Sequence, residues 1–218
     1  MNELIFIAQA LLISGTLLIA LRMGKQALIT FVAMQTIFAN LFVLKQICLC
    51  SFDATASDAY AIGGLLGLNL LQEYYGKEDT KCAIWISFFI AIVFAIVSQL
   101  HLLYIPLASD MTQSAYCAIL SATPRIVGAS LITYLIVQYF DATLYGYLKK
   151  HMHQRFYIMR NYISVSISQL LDTILFSFLG LYGIVENVWH IILVSYVIKL
   201  AIVGLATPFL IFARWIKK

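Results

Sequence analysis

The segment Asn161–Gly183, NYISVSISQLLDTILFSFLGLYG, decides the fold class of this chain because it is apolar, helix-length and has an acid, Asp172, at its midpoint. At 1.5 Å per residue its 23 residues span roughly 34 Å, enough for the ~30 Å hydrocarbon core of a bilayer. An Asp at the centre of a membrane helix costs about 2.5–3.5 kcal/mol on insertion scales, so such residues face a protein interior or a wet cavity. We therefore interpret the segment as a transmembrane helix and Asp172 as a functional residue.

A polar stripe runs along this helix from Asp172. At 3.6 residues per turn, one broad face carries the neighbouring polar side chains, whereas leucine and isoleucine cover much of the rest. The stripe consists of Asn161, Ser164, Ser168, Gln169, Asp172 and Thr173. The pattern predicts a helix that turns a polar face towards the interior of a membrane protein.

The composition of the whole chain supports a membrane protein. Of its 218 residues 62% are hydrophobic and 11% are charged, and the mean hydropathy is +0.92, which lies far outside the range of soluble domains. No linker or low-complexity run interrupts the sequence. We predict an all-α polytopic bundle of about six to seven transmembrane helices that forms a single transmembrane domain over residues 1–218.

The hydrophobic runs predict seven membrane spans. The third is short, as a helix buried among others can be, and the fifth contains Pro124, which predicts a kinked or interfacial start. The first lacks a basic leading region, so it is interpreted as a span and not as a signal peptide. The spans are Leu4–Leu21, Gln26–Ile47, Ala59–Tyr75, Cys82–Ile105, Ala118–Leu148, Asn161–Gly183 and Val188–Trp215.

The loop charges predict the orientation of these spans. Lys and Arg cluster after spans 1, 3, 5 and 7, whereas the opposite loops carry mainly acids, among them Asp53, Asp58 and Asp110. Under the positive-inside rule the N-terminus is then outside and the C-terminus cytoplasmic, which requires an odd number of spans. The pattern predicts a multi-pass protein of a bacterial inner membrane.

Several functional classes find no support in the sequence. The basic residues are scattered over short loops, so we predict no nucleic-acid partner. The chain has no HExxH helix, GxSxG elbow or phosphate-binding loop, so we do not expect an enzyme, and we expect no cofactor. Its cysteines match no metal spacing and are interpreted as small apolar residues in or near helices, so no metal site is predicted. They are Cys48, Cys50, Cys82 and Cys117.

Five charged residues lie at membrane depth in four different spans. They are Glu73, Arg125, Asp141, Asp172 and Lys199. Convergence of such groups is typical of a small-molecule carrier. Two alternatives stay open: Asp172 could form a structural ion pair with Lys199 or Arg125, and Glu73 and Asp141 could snorkel or pair with loop lysines.

Gly63 and Gly67, four residues apart, indicate a close helix contact.

Four stretches of the chain carry a resemblance to a known family. They are GLNLLQEYYGKEDTKCAIW from Gly67, PRIVGASLITYLIVQYFDATLYGYLK from Pro124, SVSISQLLDTILFSFL from Ser164 and VSYVIKL from Val194. In order and spacing they resemble the queuosine precursor transporters, which are similar in fold to the substrate-binding subunits of energy-coupling-factor vitamin transporters.

The resemblance implies uptake of a 7-deazaguanine base, namely preQ0, preQ1 or queuine, for salvage in tRNA modification. A carboxylate such as that of Asp172 suits the paired donors of a guanine-like edge, and cationic or amide groups suit its carbonyl. We expect the substrate to contact Asp172, Lys199, Arg125, Gln169, Ser168, Asn69, Glu73 and Tyr196. Two other functions stay open: a substrate-binding subunit with an energising partner, and a structural or assembly membrane protein. The energising partner and a possible homo-oligomer are left undetermined.

Overall fold

The computed structural model of the chain describes residues 1–49, 52–121, 124–152, 156–183, 188–206 and 210–216. Nine α-helices dominate these ranges, so the predicted all-α membrane bundle is confirmed in its main feature. The helices are α1 (Asn2–Met23), α2 (Lys25–Phe42), α3 (Asp58–Tyr74), α4 (Lys77–Leu102), α5 (Gln113–Leu120), α6 (Pro124–His151), α7 (Tyr157–Phe176), α8 (Val188–Ala206) and α9 (Leu210–Ile216).

Two non-α elements complete the described fold. Strands β1 (Gln46–Leu49) and β2 (Phe52–Thr55) pair antiparallel as a hairpin between α2 and α3, and a π-helical turn, Ser177–Leu181, extends α7. The predicted second span, which ended at Ile47, was therefore too long. α2 ends at Phe42, and Ile47 pairs with Ala54 across the hairpin.

Five helices of the described chain are long and apolar enough to cross a membrane, namely α1, α4, α6, α7 extended by its π turn, and α8. The prediction of a multi-pass membrane protein is thereby confirmed. α2 and α3, with 18 and 17 residues, are not in this group. The count of seven spans and the orientation of the termini stay predictions.

Two predicted spans are each divided into two helices. The fifth corresponds to the short α5, which ends at Leu120, and α6, which begins at Pro124, and its kinked or interfacial start stays a prediction. The seventh was predicted as one span, but α8 ends at Ala206 and α9 begins at Leu210.

Helix α3 lies at the centre of the bundle. Thirteen of its 17 residues are buried, and it packs against α1, α2, α4, α6, α7 and α8. Two glycines allow this close packing: a Cβ on Gly63 would lie 2.5 Å from Ile13 Cγ2 of α1, and one on Gly67 would lie 2.8 Å from Val32 Cγ2 of α2. The predicted close contact at these glycines is confirmed.

The outward faces of the peripheral helices are apolar. α4, for example, exposes Trp85, Phe89, Ile96 and Leu100, each more than half accessible. A soluble protein rarely shows so continuous an apolar surface, whereas lipid chains cover it without cost. The bundle therefore keeps its polar groups inside, around α3, α6, α7 and α8.

Candidate functional site

A cavity of about 560 Å³ lies between α2, α3, α6, α7 and α8. Pockets for small organic ligands typically measure about 300–1,000 Å³. Thr55 of the hairpin, Asp58 of α3 and His190 of α8 line one end, and Gln138 and Lys199 line the part nearer the middle of the bundle. Under the predicted orientation the hairpin end faces the outside of the cell.

An ion pair joins α7 and α8 in the cavity wall. Lys199 Nζ lies 2.6 Å from Asp172 Oδ2 and donates a second hydrogen bond to Thr173 Oγ1 at 3.2 Å. The side chain of Lys199 is 8% exposed and that of Asp172 is 26% exposed. Of the two cations considered for Asp172, the structure selects Lys199. The pair brings together the polar stripe of α7 and the lysine of α8, and both side chains line the cavity.

Asp58 adds a third charge to this site, and sequence reasoning missed it. It was predicted to lie in an outer loop, but it is a buried residue of the first turn of α3 and lines the cavity. Thr55 contacts its carboxylate, and the charges of Lys199 and Asp172 both act on it. An acid in the first turn of a helix is favoured by the helix dipole, and this preference was the available signal.

Three glutamines from three helices line the same cavity. They are Gln35 of α2, Gln138 of α6 and Gln169 of α7, and each is at least nine-tenths buried. Within the ranges that the structure describes, the amide oxygen of each has no hydrogen-bond partner, and the same holds for the hydroxyl of Thr133. Buried polar atoms are almost always paired in folded proteins. These four atoms are therefore left with hydrogen-bonding capacity that faces the cavity.

Aromatic side chains form another part of the wall. Tyr60, Tyr134 and Phe176 line the cavity. Phe42 and Phe38 pack on Tyr60, with ring centroids 5.7 and 5.4 Å away. A rigid aromatic wall beside hydrogen-bonding groups is suited to a flat, polar heterocycle.

Five of the eight predicted site residues lie outside the cavity wall. Arg125, which is exposed, donates to the backbone carbonyls of Leu179 and Tyr182, and so holds the end of the π turn. Ser168, Asn69 and Tyr196 are not part of the cavity wall, although Ser168 directly precedes Gln169. Asn69 is fully buried in the central helix.

Glu73, a further predicted site residue, belongs to a second polar group. We name Glu73, Tyr145, Lys149 and Arg160 the Glu73 cluster. Glu73 accepts from Arg160 Nη2 at 3.0 Å and from the Tyr145 hydroxyl at 2.9 Å, and Lys149 Nζ lies 3.3 Å from it. The interpretation that Glu73 pairs with a lysine is confirmed. Arg160 was predicted in a cytoplasmic loop, but it is buried in α7 with 1% exposure.

Asp141 departs most clearly from expectation. The interpretation that it snorkels or pairs with a loop lysine is wrong, because it is fully buried and accepts hydrogen bonds from Ser164 and Ser168 of α7 at 2.6 and 2.8 Å. The mistaken inference came from counting residues to the helix end. α6 continues to His151, so Asp141 lies ten residues before its last residue.

The described residues contain no group of three or more His, Cys, Asp or Glu side chains that could hold a metal ion. Three of the four cysteines are described: Cys48 and Cys82 are exposed, Cys117 is half-buried, and all three are free thiols. Cys82 lies in α4 and Cys117 in α5, whereas Cys48 lies in the hairpin. Cys50 lies outside the described residues. The polar cavity is thus the candidate site that the structure offers.

The chain was compared with known proteins. The model of a family described as "Putative vitamin uptake transporter" matches residues 59–213, which include α6, α7, α8 and all of α3 except its first residue, Asp58. The chain belongs to this family. It is also 31% identical over 191 residues to the "Probable queuosine precursor transporter" of Bacillus subtilis (strain 168), covering 85% of this chain and 82% of that protein. No solved structure matches the chain.

The resemblance found in the sequence is therefore confirmed, and the protein is a membrane transporter and not an enzyme. The region matched by the family model contains Asp172 and Lys199, which line the cavity.

Proposed function

We propose that this transporter imports a 7-deazaguanine base, a precursor of queuosine in tRNA, across the inner membrane of a bacterial cell. The observation that carries the proposal is the polar wall of the cavity, where the Asp172–Lys199 pair stands beside Gln35, Gln138 and Gln169. The printed name of the Bacillus relative supports the substrate class.

The chemistry of the wall fits a guanine-like base. The N1–H and the exocyclic amine of such a base are adjacent hydrogen-bond donors. They suit Asp172 Oδ1, since Lys199 donates to Oδ2. An amide oxygen of Gln169 or Gln138 would accept the second of these hydrogen bonds. The ring carbonyl is an acceptor and suits the Lys199 ammonium. Stacking against Tyr60 or Phe176 would hold the ring plane.

The charge of the wall favours a base with a cationic side arm. Its Asp and Lys residues comprise two acids, Asp58 and Asp172, and one base, Lys199, so one acid remains to pair with a cationic arm of the substrate. The aminomethyl group of preQ1 and the amine of queuine are positively charged at neutral pH, whereas the nitrile of preQ0 is not. We therefore place preQ1 and queuine ahead of preQ0 as substrates.

Thermal unfolding of the detergent-purified protein tests the proposal. A ligand at 100 times its Kd stabilises the folded state by about 2.7 kcal/mol, which corresponds to a rise of about 5–10 °C for a domain of this size. We expect this rise with preQ1 or queuine and little change with adenine or hypoxanthine.

A pair of glutamine variants controls for stability effects. Gln169→Leu should abolish the ligand-induced rise, whereas Gln26→Leu, the same change at an exposed position of α2, should retain it. If no 7-deazaguanine raises the midpoint of the wild-type protein, the substrate assignment is wrong. Uptake by the protein expressed alone in a foreign host would also exclude the need for an energising partner.

A further inference from the structure

Asp141 is a buried acid that the substrate cavity does not use. It follows Gln138, a wall residue of the cavity, by one turn of α6. Its Oδ1 accepts hydrogen bonds from the hydroxyls of Ser164 and Ser168 at 2.6 and 2.8 Å. Its Oδ2 is buried and has no hydrogen-bond partner within the described part of the chain.

The surroundings of Asp141 do not compensate a negative charge. Among the described residues, no Lys, Arg or His nitrogen lies within 4 Å of its carboxylate, since every ion pair that the structure shows involves another acid. A carboxylate removed from water without a cation takes up a proton, because the charged form is too costly. Acids of this kind in membrane helices mark proton pathways.

The next turn of α6 beyond Asp141 leads towards the Glu73 cluster. Tyr145, one turn further along α6, donates its hydroxyl to Glu73 Oε2 at 2.9 Å. The Glu73 side chain is 16% exposed, and that of Lys149 beside it is 36% exposed, so the Glu73 cluster lies partly at the surface of the bundle. Along α6, Asp141 therefore lies between the substrate cavity and the Glu73 cluster.

Among the described residues, no ion pair joins Asp141 to a charge on the elements around α6. Arg160 of α7 is paired with Glu73 of α3, Asp172 of α7 is paired with Lys199, and Asp58 of α3 lines the cavity. The π turn has no charged residue. α2 contributes Lys25 in its first turn, and α4 carries its charges near its two ends: Lys77, Glu78, Asp79, Lys81 and His101.

We propose that Asp141 is the proton-binding residue that couples transport to the proton gradient. It takes up and releases one proton in each transport cycle. Ser164 and Ser168 position the carboxylate and stabilise it while it is ionised. The proposal depends on the transport function but not on the identity of the base.

Transport into proteoliposomes tests the coupling. With one proton carried per substrate, a pH gradient of about one unit supports about tenfold accumulation, because each 1.4 kcal/mol is a factor of ten. The wild type should accumulate preQ1 about tenfold, whereas Asp141→Asn, which mimics the protonated acid, should only equilibrate it while retaining substrate exchange. Glu78→Gln, the same chemical change at an exposed position of α4, should behave as the wild type.

Infrared difference spectroscopy provides a readout that needs no substrate. A pH step should change a carboxylic-acid C=O stretching band in the wild type, and Asp141→Asn should lack this band. If Asp141→Asn fails to fold, Ser164→Ala serves instead. Loss of one hydroxyl donor removes stabilisation of the ionised form, so the band should titrate at a higher pH than in the wild type.

Three results would overturn the proposal. They are accumulation by Asp141→Asn equal to that of the wild type, accumulation driven by sodium at constant pH, and an infrared band that neither variant alters. If the wild type transports no 7-deazaguanine, the substrate assignment is wrong. The infrared spectra then still show whether Asp141 binds a proton, because they need no substrate.

Discussion

Replacing Asp172 by Asn should destabilise the protein, although it removes a charge from a membrane helix. Lys199 is 8% exposed and lies 2.6 Å from Asp172 Oδ2, so the variant leaves a buried ammonium without its partner. Removing one member of a buried pair costs about 3–5 kcal/mol. Asp172 is 26% exposed and Asp58 also attracts Lys199, so we expect the lower end of this range. At about 2–4 °C per kcal/mol, the unfolding midpoint should fall by about 6–12 °C.

A double-mutant cycle separates this structural role from substrate binding. Lys199→Met alone should also destabilise, because it leaves Asp172 and Asp58 without the cation between them. The double variant removes both partners, so it should recover part of the loss, with a coupling energy of about 0.5–3 kcal/mol. Uptake should be lost in all three variants, because each removes a group that the base contacts.

The cycle is measured by the tryptophan fluorescence of detergent-purified protein during heating, in parallel with uptake by cells that cannot make the base. Strictly additive losses of stability would show that the two side chains do not interact. Wild-type stability of Asp172→Asn would contradict the buried pair. Wild-type uptake by this variant would remove Asp172 from the substrate site.

Three further predictions concern packing, the second ionic cluster and topology. Gly63→Ala should destabilise the protein by about 1–3 kcal/mol through overpacking, because its Cβ would lie 2.5 Å from a side-chain carbon of α1, and heating of purified protein measures the loss. Glu73→Gln should cost about 3–5 kcal/mol by the same assay, since a fully buried arginine loses its carboxylate. Single cysteines placed at Asp110 and Lys150 should be labelled from outside and from the cytoplasm, respectively, by membrane-impermeant maleimide.

Each of these predictions has a matched control. Gly64→Ala should be nearly neutral, because the nearest atom to its new Cβ would be 3.8 Å away, and an equal loss at both glycines would refute the packing argument. Glu78→Gln removes an exposed acid and should leave the midpoint unchanged. Labelling of the cysteine at position 150 in intact cells would reverse the proposed orientation.

The central part of the site could be predicted because it follows a regular period. Asp172 and Gln169 lie on the polar face of an otherwise apolar helix, and both line the cavity. Lys199 lies near the middle of α8, so its charge alone indicated a partner at the same depth. Helix periodicity and the cost of a buried charge were sufficient to predict that these three residues face the interior of the bundle.

The remaining residues depended on packing that a single sequence does not reveal. Asp58 lies next to a hairpin, and its apparent place in a loop concealed its burial at the start of α3. Gln35 became a wall residue only because glycines allow α2 and α3 to approach closely. Arg125 has the charge that a substrate site would use, but local geometry directs it to backbone carbonyls.

The fold shows the same division. Hydrophobic runs located the helices within a few residues. In lipid, an apolar segment must form its backbone hydrogen bonds internally, and a helix does so. Their ends were less certain: the chain between α2 and α3 is apolar, but it pairs as strands. A strand is recognised by alternating apolar and polar residues. Over only four residues, this pattern is difficult to distinguish from the end of a helix.

The hairpin at the cavity mouth is tied to α1, a helix that contributes no side chain to the cavity wall. Asn2 Nδ2 donates to the carbonyl of Cys48 at 3.0 Å, and Gln9 Nε2 donates to the carbonyl of Ala56 at 3.1 Å. For the proposed transporter, we expect substitutions at these two positions to change the rates at which a substrate enters and leaves. Because neither residue lines the cavity, both rate constants should rise by the same factor and the Kd should stay the same.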